Sequence, residues 1–356
     1  MGHSAVAFII VIGVLVFIHE LGHFLAARFF KVGVDVFSLG FGPKIFKKKR
    51  GRTEYCISAI PLGGYVKMVG EEPGKALDPA DEAVSFSHKP LHQKSLIVAA
   101  GPAFNFFLAI FIFYVLYQFS GIFLAKPIIG EVLDNTPAQQ AGLMSGDVIK
   151  TIDGKEIHSF EDITRIISSS TGQSLDMLVN RDGRPVPVSI TPEQREAKNV
   201  FQETVDRYVI GIKGSGEVFH QSLNPFQAMW RAVSDTAGLV KLTIVSVGKM
   251  ISGSLSADNL GGPIMIAQMA GEQAKAGLVN FAWFIALLSV NLGIINLFPI
   301  PVLDGGHLVF FGIEAVTGKS VSEKLREKMI QFGAAILVAL MVFVFYNDIL
   351  RIFNGG

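Results

Sequence analysis

Residues 5–30 read AVAFIIVIGVLVFIHELGHFLAARFF. One polar cluster, His19-Glu20-Leu21-Gly22-His23, interrupts an otherwise apolar run. About 20 apolar residues in a helix cross the ~30 Å hydrocarbon layer of a bilayer, so the stretch reads as a membrane span. Residues 95–119, 281–303 and 329–345 have the same character. Residues 224–251 are apolar too, but they carry Arg231, Asp235, Lys241 and Lys249. That suits an amphipathic helix lying along a membrane surface better than a fifth span.

The composition of the whole chain agrees. Of its 356 residues 50% are hydrophobic, 29 are Phe and only 17% are charged, against about 25% charged in a typical soluble domain. So much apolar surface calls for membrane lipids as a partner. The 31 Lys+Arg against 30 Asp+Glu leave a net charge of +1, without the basic field a nucleic-acid partner requires. Cys56 is the single cysteine, which excludes a disulfide scaffold.

Charge placement gives an orientation. No Lys or Arg precedes Arg28, so the positive n-region of a cleavable signal peptide is missing. Lys31, Lys44, Lys47, Lys48, Lys49, Arg50 and Arg52 follow the first span, and short loops rich in Lys and Arg stay cytoplasmic. The loop 31–94 is therefore expected inside, with the N-terminus and 120–280 outside. Lys319, Lys324, Arg326 and Lys328 put the loop after the third span inside and the C-terminus outside.

Between the second and third spans the composition becomes ordinary. Residues 126–213 read as short strands with turn signals and one helix. Ser159 caps that helix, Ile163, Ile166 and Ile167 share one of its faces, and Arg181-Asp182-Gly183 turns a hairpin. The run P-A-x-x-A-G-L-x-x-G-D-x-I-x-x-I-D-G from Pro137 to Gly154 resembles a PDZ domain. Such a groove takes a peptide, typically its C-terminus, as an added strand; a steric shield with a degenerate groove is the alternative.

The polar cluster carries the chemistry. H-E-x-x-H on a helix puts both imidazoles on one face, within reach of one Zn²⁺, with Glu20 beside them as a base. Ionisable groups inside a span cost about 2.5–3.5 kcal/mol each and are functional by default; a self-satisfied His–Glu–His cluster is the alternative. Catalytic zinc usually has three protein ligands. Asp304 is the best third ligand, because Pro299 and Pro301 break the third span just before it and free backbone groups that only a protein-lined or wet cavity tolerates. A helix cap is the other role for Asp304, and His307 is a competing ligand. Counted as straight rods from 5 and 281, His19 lies ~21 Å and Asp304 ~34 Å along their spans, a mismatch that a broken helix or a later span start would remove.

Four segments now stand together: His19 to His23; Gly63-Gly64-Tyr65-Val66-Lys67-Met68; Gly101-Pro102-Ala103-Phe104-Asn105; and N-x-x-P-x-P-x-L-D-G-G from Asn296 to Gly306. They resemble the site-2 protease family of intramembrane zinc metalloproteases (peptidase family M50). The closest likeness is to its PDZ-containing bacterial branch, the RseP-like regulators of sigma-factor release. That resemblance implies Zn²⁺ as cofactor, His19, His23 and Asp304 as its ligands and Glu20 as catalytic base. It implies that Asn296 lies near the scissile peptide and that Asn105 faces the same cavity, a helix–helix hydrogen bond being the alternative for Asn105. It further implies that residues 54–69, which alone read as a β-hairpin about Pro61-Leu62-Gly63-Gly64, dip into the membrane and hold substrate through Gly63, Gly64 and Tyr65. The best-studied members of this branch carry tandem PDZ domains, whereas this chain has room for one.

The expectation is a polytopic α-helical membrane protein of about four transmembrane helices, with an inserted α+β PDZ domain and a membrane-associated β-hairpin. Its parts are a protease core at 1–125 and 281–356, a PDZ domain at 126–213 and an amphipathic juxtamembrane segment at 214–280, within which 261–277 read as a polar loop. The expected activity is cleavage of single-span transmembrane proteins, such as an anti-sigma factor or a remnant signal peptide, in the bacterial inner membrane. A non-catalytic PDZ scaffold would not need the ligand set. A metal transporter would usually show inverted repeats.

Overall fold

The computed structural model describes residues 2–71, 77–201, 203–256 and 261–353. Parts of the expected 31–94 loop (72–76) and 214–280 segment (257–260) lie outside the described residues. The chain divides into two compact units, one built from residues up to Leu116 and from Met229 onward, the other from Tyr117–Ala228.

In the first unit, helix α1 (Gly2–Phe29) carries the quoted stretch. A helix is the natural state for it, since lipid offers no partner to an unpaired backbone group. The helix stops before Lys31, whose φ is 57°. Strands β1 (Val34–Arg50) and β2 (Thr53–Met68) then pair and turn at Gly51-Arg52. Both are long and bent. Val36 to Leu39 pair with Glu54 to Ile57 on one side and with Lys67 to Gly64 on the other. Gly40 and Gly42, at φ 88° and 84°, let β1 fold back.

This corrects the expected hairpin confined to 54–69. Residues 64–68 lie across 34–39 rather than against 54–57, so the partner strand begins at Val34 and no turn forms at Pro61 to Gly64. Val34, Phe37, Val66 and Met68 are buried in one cluster with Ala27, Ile97 and Val98, which fixes this sheet against α1 and helix α2 (Leu91–Ser120).

The second unit contains strands β3 (Ile122–Ala125) and β4 (Ile129–Val132), the short helix α3 (Pro137–Gln140), β5 (Val148–Ile152), β6 (Lys155–Glu156), α4 (Phe160–Ser168), β7 (Leu175–Arg181) and β8 (Arg184–Ile190). It continues through β9 (Glu193–Lys198), β10 (Thr204–Val209), β11 (Ile212–Gly214) and β12 (Val218–Gln221). A four-stranded sheet runs in the order β6-β5-β7-β8. Leu175, Met177 and Val179 alternate inward along β7 and meet Ile163 and Ile167 of α4 in the core.

Ser159 and Asp162 form a capping box at the start of α4. Asp182 and Gly183, both at positive φ, turn β7 into β8. The pair β3–β12 lies outside the expected 126–213 boundaries and joins the ends of this unit.

Helix α5 (Pro225–Ile251) buries Ala228, Ala232 and Thr236, spaced by four, on one face. Residues 261–277 are not a loop: α6 (Pro263–Ala276) fills that stretch. Its Ala270 is buried in a cluster with Ala7, Val11 and Leu15 of α1 and with Phe284 and Ile285 of α7 (Leu278–Asn296). Pro263 stands at the helix start and Gly277 follows its end, which brackets a helix on both sides.

The third span ends at Asn296, earlier than the expected 303. The chain turns back through 297–303 and enters α8 (Asp304–Thr317). The straight-rod count to Asp304 therefore does not apply: the span ends at Asn296, about 27 Å along α7, and the chain folds back before Asp304. Helix α9 (Glu323–Phe353) closes the described chain and exceeds the expected 329–345 at both ends. Among the described residues, four helices are long and apolar enough to cross a membrane: α1 from Ser4, α2, α7 and α9.

Candidate metal centre

The helical spacing of His19 and His23 turns both rings to the same side of α1. Their Nε2 atoms are 3.2 Å apart. The fold-back at 297–303 delivers Asp304 to them from the first turn of α8, with Oδ2 at 3.2 Å from His19 Nε2 and 3.5 Å from His23 Nε2. Tetrahedral zinc with bonds of about 2.0–2.1 Å has ligand–ligand edges of about 3.3–3.4 Å. The three edges therefore fit one zinc ion. Asp304 Oδ2 is buried and makes no hydrogen bond in spite of its two nitrogen neighbours, which also fits a carboxylate oxygen arranged for a cation. Two imidazoles and a carboxylate are the donor chemistry zinc takes.

Close backbone packing makes the arrangement possible. A Cβ on Gly101 of α2 would stand 2.3 Å from His23 Nε2 and 2.8 Å from His19 Cε1. Only a glycine lets α2 pass behind both rings. The signal was present in the sequence, since small residues mark close helix crossings in membranes, but it gave no indication that the rings themselves were the neighbours. At the turn into α8, a Cβ on Gly305 would lie 2.3 Å from the carbonyl oxygens of Leu297 and Phe298.

Glu20 lines one cavity with His19, His23 and Asp304. Its carboxylate accepts a hydrogen bond from the Val66 amide of β2. A Cβ on Gly64 would come within 3.0 Å of Glu20 Cγ and 2.8 Å of the Ser38 carbonyl oxygen. Gly63, Gly64 and Tyr65 form part of the cavity wall, as does Asn296 at the end of α7. Tyr65 stacks on Phe41, with ring centroids 6.1 Å apart and planes 8° from parallel.

Asn105 lies off the cavity wall and makes the helix–helix contact that stood as its alternative. It is fully buried and turns its amide to His19 Nδ1 at 3.1 Å.

Glu71, which the sequence reading passed over, also lines the cavity, with His307, the competing ligand, and Arg326. His307 is outside the ligand triad; its Nδ1 accepts from Arg326 at 3.0 Å. Burial, with the Arg326 guanidinium beside it, holds the His307 imidazole below its ordinary value. Burial pushes the Glu71 carboxyl up, opposed by the hydrogen bond it accepts from the Met68 amide.

Comparison with known proteins gives one family. The model of "Peptidase family M50" matches residues 7–340. "Putative zinc metalloprotease Atu1380" of Agrobacterium fabrum is 37% identical over 97% of this chain and 95% of its own length. "Putative zinc metalloprotease RC0203" of Rickettsia conorii is 39% identical over 99% of each. "Regulator of sigma-W protease RasP" of Bacillus subtilis is 31% identical over 99% of each. Among solved structures, the PDZ domain of the SdrC-like protein Lin2157 from Listeria innocua aligns with 27% of this chain and 99% of its own, at 23% identity and a TM-score of 0.21.

Proposed function

The chain belongs to peptidase family M50 and is a multi-pass zinc metalloprotease; on that premise we propose that it cuts the transmembrane segments of single-span membrane proteins within the bacterial inner membrane. The observation that carries this reading is the His19–His23–Asp304 triad, at the edge lengths of a zinc tetrahedron, on helices long and apolar enough to lie in lipid.

His19, His23 and Asp304 hold the zinc. When bound, zinc supplies a Lewis acid toward the scissile carbonyl and the attacking water. Glu20, beside the imidazoles, takes the proton of that water and passes it to the leaving amine. The Asn296 amide has no hydrogen-bond partner of its own among the described residues and is free to orient the scissile peptide.

A transmembrane helix hides its peptide bonds in internal hydrogen bonds, so it must be drawn out before it can be cut. Gly64 to Val66 pair with β1 on one side only, and the open edge runs past Glu20. An unwound substrate adding to that edge as a strand presents its backbone to the ligand triad. The sheet therefore serves as a membrane-associated clamp through Gly63, Gly64 and Tyr65.

The second unit acts as a PDZ domain outside the membrane. Phe160, Ile163 and Ile167 of α4 face Ile210, Gly211 and Ile212 across an apolar groove that suits a peptide C-terminus, such as one left by an earlier cut. The positive loops favour this unit and both termini outside and the 31–94 loop in the cytoplasm. Release of the product inward suits the freeing of a transcription regulator, and the similarity to the sigma-W regulator protease favours a substrate of the anti-sigma class.

The test is co-expression with tagged single-span membrane proteins. Cleavage is expected with the unaltered chain and absent with Glu20→Gln. Cleavage that persists in Glu20→Gln removes the assigned base.

A further inference from the structure

Behind the ligand triad, α2 offers each imidazole a second partner. His23 Nδ1 meets the Ile97 carbonyl oxygen at 3.0 Å, and His19 Nδ1 meets the Asn105 side-chain amide at 3.1 Å. The Nε2 atoms face each other and Asp304. A neutral imidazole that gives Nε2 to a metal carries its proton on Nδ1 and needs an acceptor there. For His23 the Ile97 carbonyl is that acceptor. For His19 the group at hand among the described residues is Asn105.

The orientation of this amide is informative. Its nitrogen faces His19 Nδ1, while Oδ1 is buried without a hydrogen-bond partner. Amide oxygen and nitrogen exchange places in a half turn that leaves the side-chain outline unchanged. That half turn gives His19 Nδ1–H its acceptor and Oδ1 its donor at once. The residue is also held firmly in place: Asn105 is fully buried, and its main-chain oxygen accepts from Ser289 Oγ of α7 at 2.7 Å.

We propose that Asn105 is a positioning residue for the metal centre, fixing the tautomer and ring plane of His19 through Oδ1, and that it does not contact substrate. The proposal rests on the reading of His19, His23 and Asp304 as zinc ligands. It assigns the two halves of the centre's support to one helix, with a backbone carbonyl behind His23 and a side-chain oxygen behind His19.

The experiment is a competitive zinc titration of the purified full chain against a fluorescent chelator, with Asn105→Leu, Asn105→Asp and His19→Ala. Leucine keeps the bulk and removes the acceptor; aspartate keeps the acceptor and removes the amide N–H groups. Loss of an outer-shell partner weakens metal binding by about 10–100-fold, and that loss is expected for Asn105→Leu. Asn105→Asp is expected to bind zinc as the unaltered chain does or more tightly, because a carboxylate accepts more strongly from Nδ1–H. A helix–helix tether would instead suffer alike in both variants. Equal weakening in the two, or none in Asn105→Leu, overturns the proposal. Full zinc affinity in His19→Ala overturns the ligand assignment beneath it, a distinguishable failure. Should Asn105→Leu not fold, the aspartate variant decides alone, and its loss of zinc overturns the proposal.

Discussion

Asp348 offers the sharpest test of how the helices of the first unit are held together. It sits late in α9, only 2% exposed. Its carboxylate accepts three backbone N–H groups at the start of α6: Gly262 at 3.0 Å, Ile264 at 3.0 Å and Met265 at 3.1 Å. These are orphan donors of a helix N-terminus, where a negative charge also meets the positive end of the helix dipole. Replacing Asp348 with Ala leaves three donors unpaired in a buried site. At about 1–3 kcal/mol for each unsatisfied group, partly recovered by local relaxation, the expected cost is about 3–6 kcal/mol. Asp348→Asn keeps a neutral acceptor and is expected to cost about half as much. Gly262→Ala should act on the same contact, because a Cβ there would stand 2.3 Å from Asp348 Oδ2. The assay is reversible denaturant unfolding of the full chain in mixed micelles, with amide hydrogen exchange at Ile264 and Met265 as the local readout. An Asp348→Ala chain within about 1 kcal/mol of its parent, or unchanged exchange at those two amides, would refute the reasoning.

Other expectations follow from single contacts. Gly101→Val should drive a side chain into the His23 ring and weaken zinc binding by about tenfold or more, read by metal content after dialysis against a chelator; unchanged metal content would contradict it. In the second unit, burial raises the Asp147 carboxyl, but the two hydrogen bonds from Arg181 and one from the Met144 amide more than offset it and hold it low. The stability this contributes is present above the unfolded value of about 3.9 and is lost as pH falls through the lower folded value. Hydrogen exchange across Tyr117–Ala228 should therefore accelerate in acid, and Asp147→Ala, which leaves the Met144 amide without its acceptor, should cost about 1–3 kcal/mol at neutral pH. The Lys126 amide donates to the Glu217 carbonyl oxygen at 2.8 Å, so the inner ends of β3 and β12 lie together. Excising 126–217 and joining those ends should raise cutting of substrates with large outer domains if the second unit screens them; unchanged selectivity would sink the screening role.

What the sequence made legible was local. The two histidines and Glu20 fall within five consecutive residues, and Pro299 and Pro301 announce a broken helix before Asp304. Helix spacing and proline chemistry suffice for both. What stayed hidden depends on partners far along the chain. Asp348 lay outside the expected fourth span, and the amides it caps are more than 80 residues away. Nothing near it in sequence marks it as a cap. Residues 34–50 were missed as a strand because Lys47, Lys48, Lys49 and Arg50 read only as the basic residues of a cytoplasmic loop, although they pair with residues 53–56. Helix α6 could have been found: Pro263 and Gly277 bracket it, and Ile266, Met269 and Ala270 repeat at helical spacing. Asn105 shows the limit from the other side. Its presence near the centre was expected, but only the structure tells the back of an imidazole from the wall of a cavity.

Zinc K-edge X-ray absorption of the purified full chain, compared with His23→Ala and Asp304→Ala, tests the central claim most directly. The account predicts one zinc held by two imidazole nitrogens and oxygen donors at about 2.0–2.1 Å, without sulfur, and a shell that loses an imidazole in the first variant and an oxygen in the second. A zinc shell identical in all three chains, or unaltered protein that holds no zinc, would contradict it.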